Sequence, residues 1–271
     1  MRAGLLALVL WAWSLPAAAE WGLADRYPQG ALAVGQAAPG STVRVDGRPV
    51  RVSPGGLFLV GLGRDAEGPV SVAVRAPDGT ETTRRLTVTT REYRIQRIDG
   101  LPPKKVTPPP ETLARIRAES ARIKAVRGVD SDRAGFAGGF VWPVAGTVSG
   151  VFGSQRILNG KPRSPHRGVD IAAPAGTPVR AAADGVVALA APDMYYTGKT
   201  VMVDHGHGLT SVYAHMRDLR VAEGQVVERG AVIGTVGQSG RATGPHLHWG
   251  ISLFATALDP ALVAGPPPAA Q

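Results

Sequence analysis

The sequence predicts a mainly β protein in three parts. A small β-sandwich-like domain comes first, then a linker with one helix, then a larger antiparallel β domain. Three observations carry this. The 271 residues include 35 Gly and 23 Pro but only 6% aromatics, a composition of many turns and short strands. Short alternating apolar and polar runs recur along the chain, separated by turn dipeptides. Only one stretch, residues 111–127, shows an apolar stripe at helical spacing. With 44% apolar residues, the chain has enough to build a sizeable core.

The first element expected is a signal peptide over residues 1–19. In "MRAGLLALVLWAWSLPAAAE", Arg2 is the positive end, Ala3 to Leu15 the apolar run and Ala17-Ala18-Ala19 the small residues before cleavage. The apolar run is short for a spanning helix, and Pro16 breaks it. The expectation is an exported protein of the periplasm or cell envelope, with no stable membrane insertion after cleavage. The chain has no cysteine. That excludes disulfides, a thiol-anchored lipoprotein, thiolate metal sites and cysteine nucleophiles, so any metal must be held by His and carboxylate. A formal charge of +9 favours an anionic polymer. Nucleic acid is not the expected partner: no groove-reading motif is present, and the few aromatics are not interleaved with basic residues.

Residues 20–98 read as the accessory β domain. Val43–Val45 and Val50–Val52 alternate around Asp46-Gly47, a hairpin signal, and Val70–Val74 and Leu86–Val88 do so around Asp78-Gly79. No histidine and no catalytic pattern occurs here. Residues 99–139 read as a Pro-rich extended linker and then a helix, with Thr107 and the prolines behind it as the start signal. Leu113, Ile116 and Ile123 form its stripe, and Glu111 and Arg115 make an i,i+4 pair. From Phe140 the runs "VRAAADGVVALA", "KTVMVDHGHGLTSVYAHM", "QVVERGAVIGTVG" and "HLHWGISLF" are strands broken by Gly turns, giving a β domain over residues 140–262. A Pro/Ala-rich tail at 263–271 is expected to be disordered.

All six histidines fall in this last β domain. His246 and His248, in "GPHLHW", are two apart, so a strand points both rings to one face. His166 and Asp170, in "SPHRGVD", add one nitrogen and one oxygen donor suited to zinc. A catalytic zinc takes three protein ligands and one open position. His166, Asp170 and one histidine of the pair supply the three, leaving the other histidine for chemistry. His215, in "VYAHM", ends a strand and is a fifth candidate. His205 and His207, in "DHGHG", read as turn residues rather than ligands.

These stretches, "HRGVDIAAPAGTPVRAAADGVV", "YAHM" and "VERGAVIGTVGQSGRATGPHLHW", resemble the LytM/lysostaphin-type zinc metallopeptidases, which are peptidoglycan endopeptidases. The resemblance covers Phe140 to about Leu262 and rests on HxxxD, YAH and HLH in order. It implies one zinc per chain, bound by His166, Asp170 and His248. It also implies that His246 and His215 line the site without binding metal. Two imidazoles suit the duties of accepting the water proton and stabilising the oxyanion, and no HExxH glutamate is present to do so. His215 and His246 are therefore the candidate catalytic pair, their roles left undivided. The chain departs from the family at Trp249-Gly250, where an aromatic and an acidic residue are common. The rival that the resemblance also implies is a non-catalytic relative that activates another wall hydrolase. The intact residue set argues against it. A regulatory protein partner remains open. Asn159 and Tyr213 are the candidate substrate-binding residues, and Tyr195 and Tyr196 candidate walls of the groove.

Overall fold

The structure is a computed structural model describing residues 20–268. The expected signal peptide lies outside the described residues. No helix among them is long and apolar enough to cross a membrane.

The N-terminal β unit forms where the turn dipeptides lead. Asp46 and Gly47 both take positive φ (48° and 76°), the backbone that a two-residue hairpin requires, and Val43 pairs with Val50 across it. Pro69–Arg75 and Glu81–Thr89 form the second hairpin. These strands belong to a five-stranded sheet, and Leu32–Gln36 with Leu57–Gly61 form a second sheet facing the same core. That core includes Phe58, Val43, Val72 and Leu86, all at most 1% exposed. One pairing departs from the antiparallel expectation: Arg26–Pro28 runs parallel to Glu81–Thr89. No hairpin joins these distant segments, so no turn constrains their relative direction.

The region between the two β units is less extended than the sequence suggests. Thr107 caps the C-terminal end of a short helix, Pro103–Val106, instead of starting the long one, which spans Leu113–Arg127. Its inward residues are Ile123 and Val126, packed on Leu189, Ala191, Met194, Met202 and Val212, while Leu113 is exposed. The ion pair that forms is Arg115–Glu119 at 2.6 Å, and the other Glu119 oxygen accepts the Tyr195 amide. Before the helix, Ile95–Ile98 runs parallel to Gln155–Leu158, setting Gln96 opposite Arg156.

The C-terminal unit is built on an eight-stranded sheet. Its path runs Val226–Val227, Gly185–Met194, Gly198–Gly206, Leu209–Met216, His246–Leu253, Val169–Ala172 and Thr147–Gly150, with Thr256–Leu258 added on His246–Leu253. Every pairing in it is antiparallel. One face packs Val169, Ile171, Val201, Val203, Tyr213, Leu247, Trp249 and Ile251 into the main core. Ordered chain continues beyond residue 262, into the expected tail. Asp259 caps the helix Pro260–Ala264, and the Trp142 Nε1–H donates to the Gly265 carbonyl.

His205 is fully buried in its strand, with Nδ1 at 2.7 Å from the Asp184 carbonyl and Nε2 at 2.7 Å from the Ser211 hydroxyl. Burial pushes its pKa down to about 4. Its folded pKa thus lies below that of the unfolded chain, near 6.5, so the unfolded state takes up the proton first. The stability tied to neutral His205 is fully present above pH 6.5 and is lost as pH falls toward 4, at about 1.4 kcal/mol per pH unit. Denaturant melts across this window should show a shallower pH slope for H205Q than for the native chain. Equal slopes would mean that His205 is not held neutral.

Candidate active site

The site follows from strand alternation. Along His246–Leu253, Leu247, Trp249 and Ile251 point into the core, which sends His246 and His248 to the opposite face. Along Val169–Ala172, Val169 and Ile171 are the inward residues, so Asp170 faces the same way as the histidines. These two strands are antiparallel neighbours, with Asp170 directly opposite His248 and Ala172 opposite His246. His166 enters from the preceding loop, held by its amide donating to the Ser154 carbonyl and its carbonyl accepting from Gly153, both at 2.9 Å.

Three donor atoms converge there. His248 Nδ1 lies 2.8 Å from Asp170 Oδ1, His166 Nε2 lies 3.0 Å from the same oxygen, and the two nitrogens are 3.0 Å apart. His166 and Asp170 are buried and His248 half-buried. The His166 Nδ1 is 3.2 Å from the Val151 carbonyl, which can only accept, so Nδ1 carries the proton and Nε2 turns a lone pair inward. Burial pushes His166 down to about 4. Burial would raise Asp170, but the close approach of the His166 and His248 rings holds it well below the usual carboxylate range. A buried carboxylate oxygen and two imidazole nitrogens aimed at one point are a donor set that a divalent cation satisfies. Two nitrogens and one oxygen with no thiolate suit zinc.

Two further rings border this set. The ring centroids of His215 and His246 are 4.8 Å apart, and that of His215 is 6.2 Å from that of His248. His215 has φ 63°, a left-handed backbone uncommon for a non-glycine residue. The register beside it shifts, with Val201 opposite Tyr213 and Lys199 opposite Met216, so an extra residue on the histidine strand turns this ring toward the site. Its Nδ1 lies 2.8 Å from the Ser239 carbonyl, and the His246 Nδ1 lies 2.9 Å from that of Gly244. In both rings Nε2 is left as the free nitrogen. Burial, with His246 and His248 beside it, pushes His215 down to about 3.

All five expected metal and catalytic candidates thus come together, while the two candidate substrate-binding residues do not join them. Tyr213 is fully buried on the core face, where its hydroxyl accepts the Ala182 amide at 2.7 Å and meets the Ser211 hydroxyl. Asn159 is a turn residue at φ 46°. Its amide holds both the N–H and the carbonyl of Leu101, facing a different hollow. Trp249 lies in the core, and a Cβ on Gly250 would stand 2.9 Å from the Arg167 carbonyl, so that position has no room for an acidic side chain.

Two site residues escaped the sequence reading. The Arg156 guanidinium donates to the second Asp170 oxygen at 2.6 Å, and its Nε–H meets the Gln96 side chain at 3.3 Å. Gly150 lies opposite Asp170 on the other neighbouring strand, where a Cβ would stand 2.5 Å from Asp170 Oδ2. The available signal was chemical: a buried ligating carboxylate needs a partner for its second oxygen. The cleft that holds these groups, about 280 Å³, is lined by Asp170, Arg156, His215 and His246, and by Arg241 with the loop after it. Gln96, Ile98 and Leu101 form one wall.

Residues 164–260 match Peptidase family M23. A solved structure of a putative peptidase M23 from Pseudomonas aeruginosa shares 34% identity, covers 88% of this chain and 94% of that one, and superposes with a TM-score of 0.66. The chain belongs to peptidase family M23. Among curated relatives, the DD-carboxypeptidase/endopeptidase Mpg of Neisseria meningitidis is 47% identical over 103 residues, 38% of this chain and 24% of that protein. The peptidoglycan DD-endopeptidase ShyA of Vibrio cholerae is 44% identical over 86 residues, 32% of this chain and 20% of that protein. The similarity therefore spans about a quarter or less of these relatives' length.

Replacing Arg156 by Gln, or Gly150 by Ala, should loosen Asp170 and lower zinc affinity roughly 10- to 100-fold with the fold retained. Chelator-competition titrations monitored beside circular dichroism would measure this. Native affinity in both variants would show that Asp170 is held without them.

Proposed function

We propose that this chain is a zinc-dependent endopeptidase, exported to the cell envelope, that hydrolyses peptide cross-links of peptidoglycan. The observation that carries the reading is the convergence of His166 Nε2, Asp170 Oδ1 and His248 Nδ1 beside two imidazoles anchored through Nδ1. The named activities of the M23 relatives supply the substrate class.

His166, Asp170 and His248 would hold about one zinc per chain, supplying Lewis acidity to the scissile carbonyl and lowering the pKa of water. Arg156 balances the Asp170 charge from the far side and fixes which oxygen faces the donor set. His215 rests neutral at physiological pH, since burial and the neighbouring rings lower its pKa, so its ring presents a lone pair. With Nδ1–H committed to the Ser239 carbonyl, its Nε2 is the atom able to accept a proton. His246 is fixed in the same way by Gly244. Once protonated, either Nε2–H becomes a donor to an oxyanion, so the pair covers both general-base and oxyanion duties. The basic chain suits an anionic wall polymer.

The full chain incubated with purified peptidoglycan should release new peptide ends, and a chelator should abolish the release. H246A should still bind zinc but lose roughly 100- to 10,000-fold in cleavage rate. Full activity in H246A would contradict this assignment. A zinc-loaded native chain that never cuts would favour the role of activator.

A further inference from the structure

The cleft contains a cation that the zinc chemistry does not use. Arg241 lines it together with His246, His215 and Asp170. Its guanidinium lies over the Tyr196 ring, 4.4 Å from the centroid, and its backbone N–H is tied to the Tyr196 carbonyl at 2.8 Å. Stacking of this kind fixes the plane of the group while leaving its N–H edge free. Among the described residues that edge makes one long side-chain contact, Nη1 to the Lys105 carbonyl at 3.4 Å.

The neighbouring guanidiniums are already occupied. Arg156 is paired with Asp170, and Arg163 donates to the Pro162 and Val106 carbonyls at 2.8 and 2.7 Å. Among the described residues no carboxylate forms an ion pair with Arg241. Burial lowers its pKa, and although the Tyr196 side chain works the other way, Arg156 and Arg163 add to the lowering. A half-buried guanidinium among like charges, with no acid of its own, costs free energy unless an anion arrives with the substrate.

We propose that Arg241 is a specificity residue that clamps a free carboxylate of the substrate next to the scissile amide. This rests on the peptidoglycan endopeptidase reading above and narrows it. His246 and Arg241 share one short segment of the cleft wall, so a group held by Arg241 sits beside the bond that His246 serves. A planar fork meeting a planar carboxylate gives two charge-assisted hydrogen bonds, and a primary amide in its place removes the charge and supplies only one acceptor oxygen. The clamp therefore selects cross-links with a free acid next to the amide over those in which it is amidated.

The test uses the full zinc-loaded chain and two purified muropeptide dimers, identical except that the carboxylate beside the cross-linking amide is free in one and a primary amide in the other. The native chain should prefer the free acid by roughly 10- to 100-fold in kcat/KM. In R241A, and in R241Q as a second variant, the preference should collapse to within about threefold, and R241K should restore part of it. Thermal melts and zinc content establish that each variant is folded and loaded. A purely structural role for Arg241 would lower both rates together and leave the ratio intact, which overturns the proposal. Equal cleavage of both dimers by the native chain overturns it as well, while leaving the endopeptidase reading standing. Failure of the native chain to cut either dimer removes both.

Discussion

The site depends on one cross-strand pairing, Asp170 opposite His248. Side chains alternate along each strand, so a slip of one residue would send Asp170 into the core and replace it with Val169 or Ile171. The pairing is held from the buried side, where Val169, Ile171, Leu247, Trp249 and Ile251 are each at most 1% exposed. A one-residue slip would expose this apolar set and bury a carboxylate and two imidazoles. The hydrophobic effect on one face of the sheet thereby fixes the donor geometry on the other.

The rest of the chain serves that geometry at longer range. Ile95–Ile98, far from the site in sequence, pairs with Gln155–Leu158 and sets Gln96 beside Arg156, whose guanidinium neutralises the outer oxygen of Asp170. Asn159 ties the turn after that strand to Leu101. Arg163 reaches the Val106 carbonyl, and Arg241 the Lys105 carbonyl. The segment joining the two β units is thus part of the cleft wall rather than a free tether. The helix Leu113–Arg127 packs Ile123 and Val126 on Met202 and Val212, on the sheet face opposite the main core.

Much of this was legible in the residues. The donors and the catalytic candidates carry local signals: two histidines at strand period, HxxxD at a strand entrance, and a histidine closing a strand. The Asp46-Gly47 hairpin announced itself because few other dipeptides accept positive φ at both positions, and the second hairpin because Gly79 supplies the positive φ of 89° that its turn needs. Arg156 and Gly150 had no such signal. Their roles arise from a parallel pairing and a cross-strand register that no short window encodes. Tyr213 misled because a strand residue's face is set by neighbours, and its hydroxyl is satisfied inside the core by Ala182 and Ser211. Asn159 misled because its left-handed turn puts its amide to structural use.

His166, Asp170 and His248 bring three donor atoms to one point, the site proposed for a single zinc. Anomalous scattering from a crystal of the purified chain, collected on both sides of the zinc absorption edge, tests it most directly. A single strong peak is expected, bounded by His166 Nε2, Asp170 Oδ1 and His248 Nδ1, at roughly 2.0–2.2 Å from each atom. A zinc-supplemented crystal with no peak there, or with its peak beside His205 or His207, would contradict it.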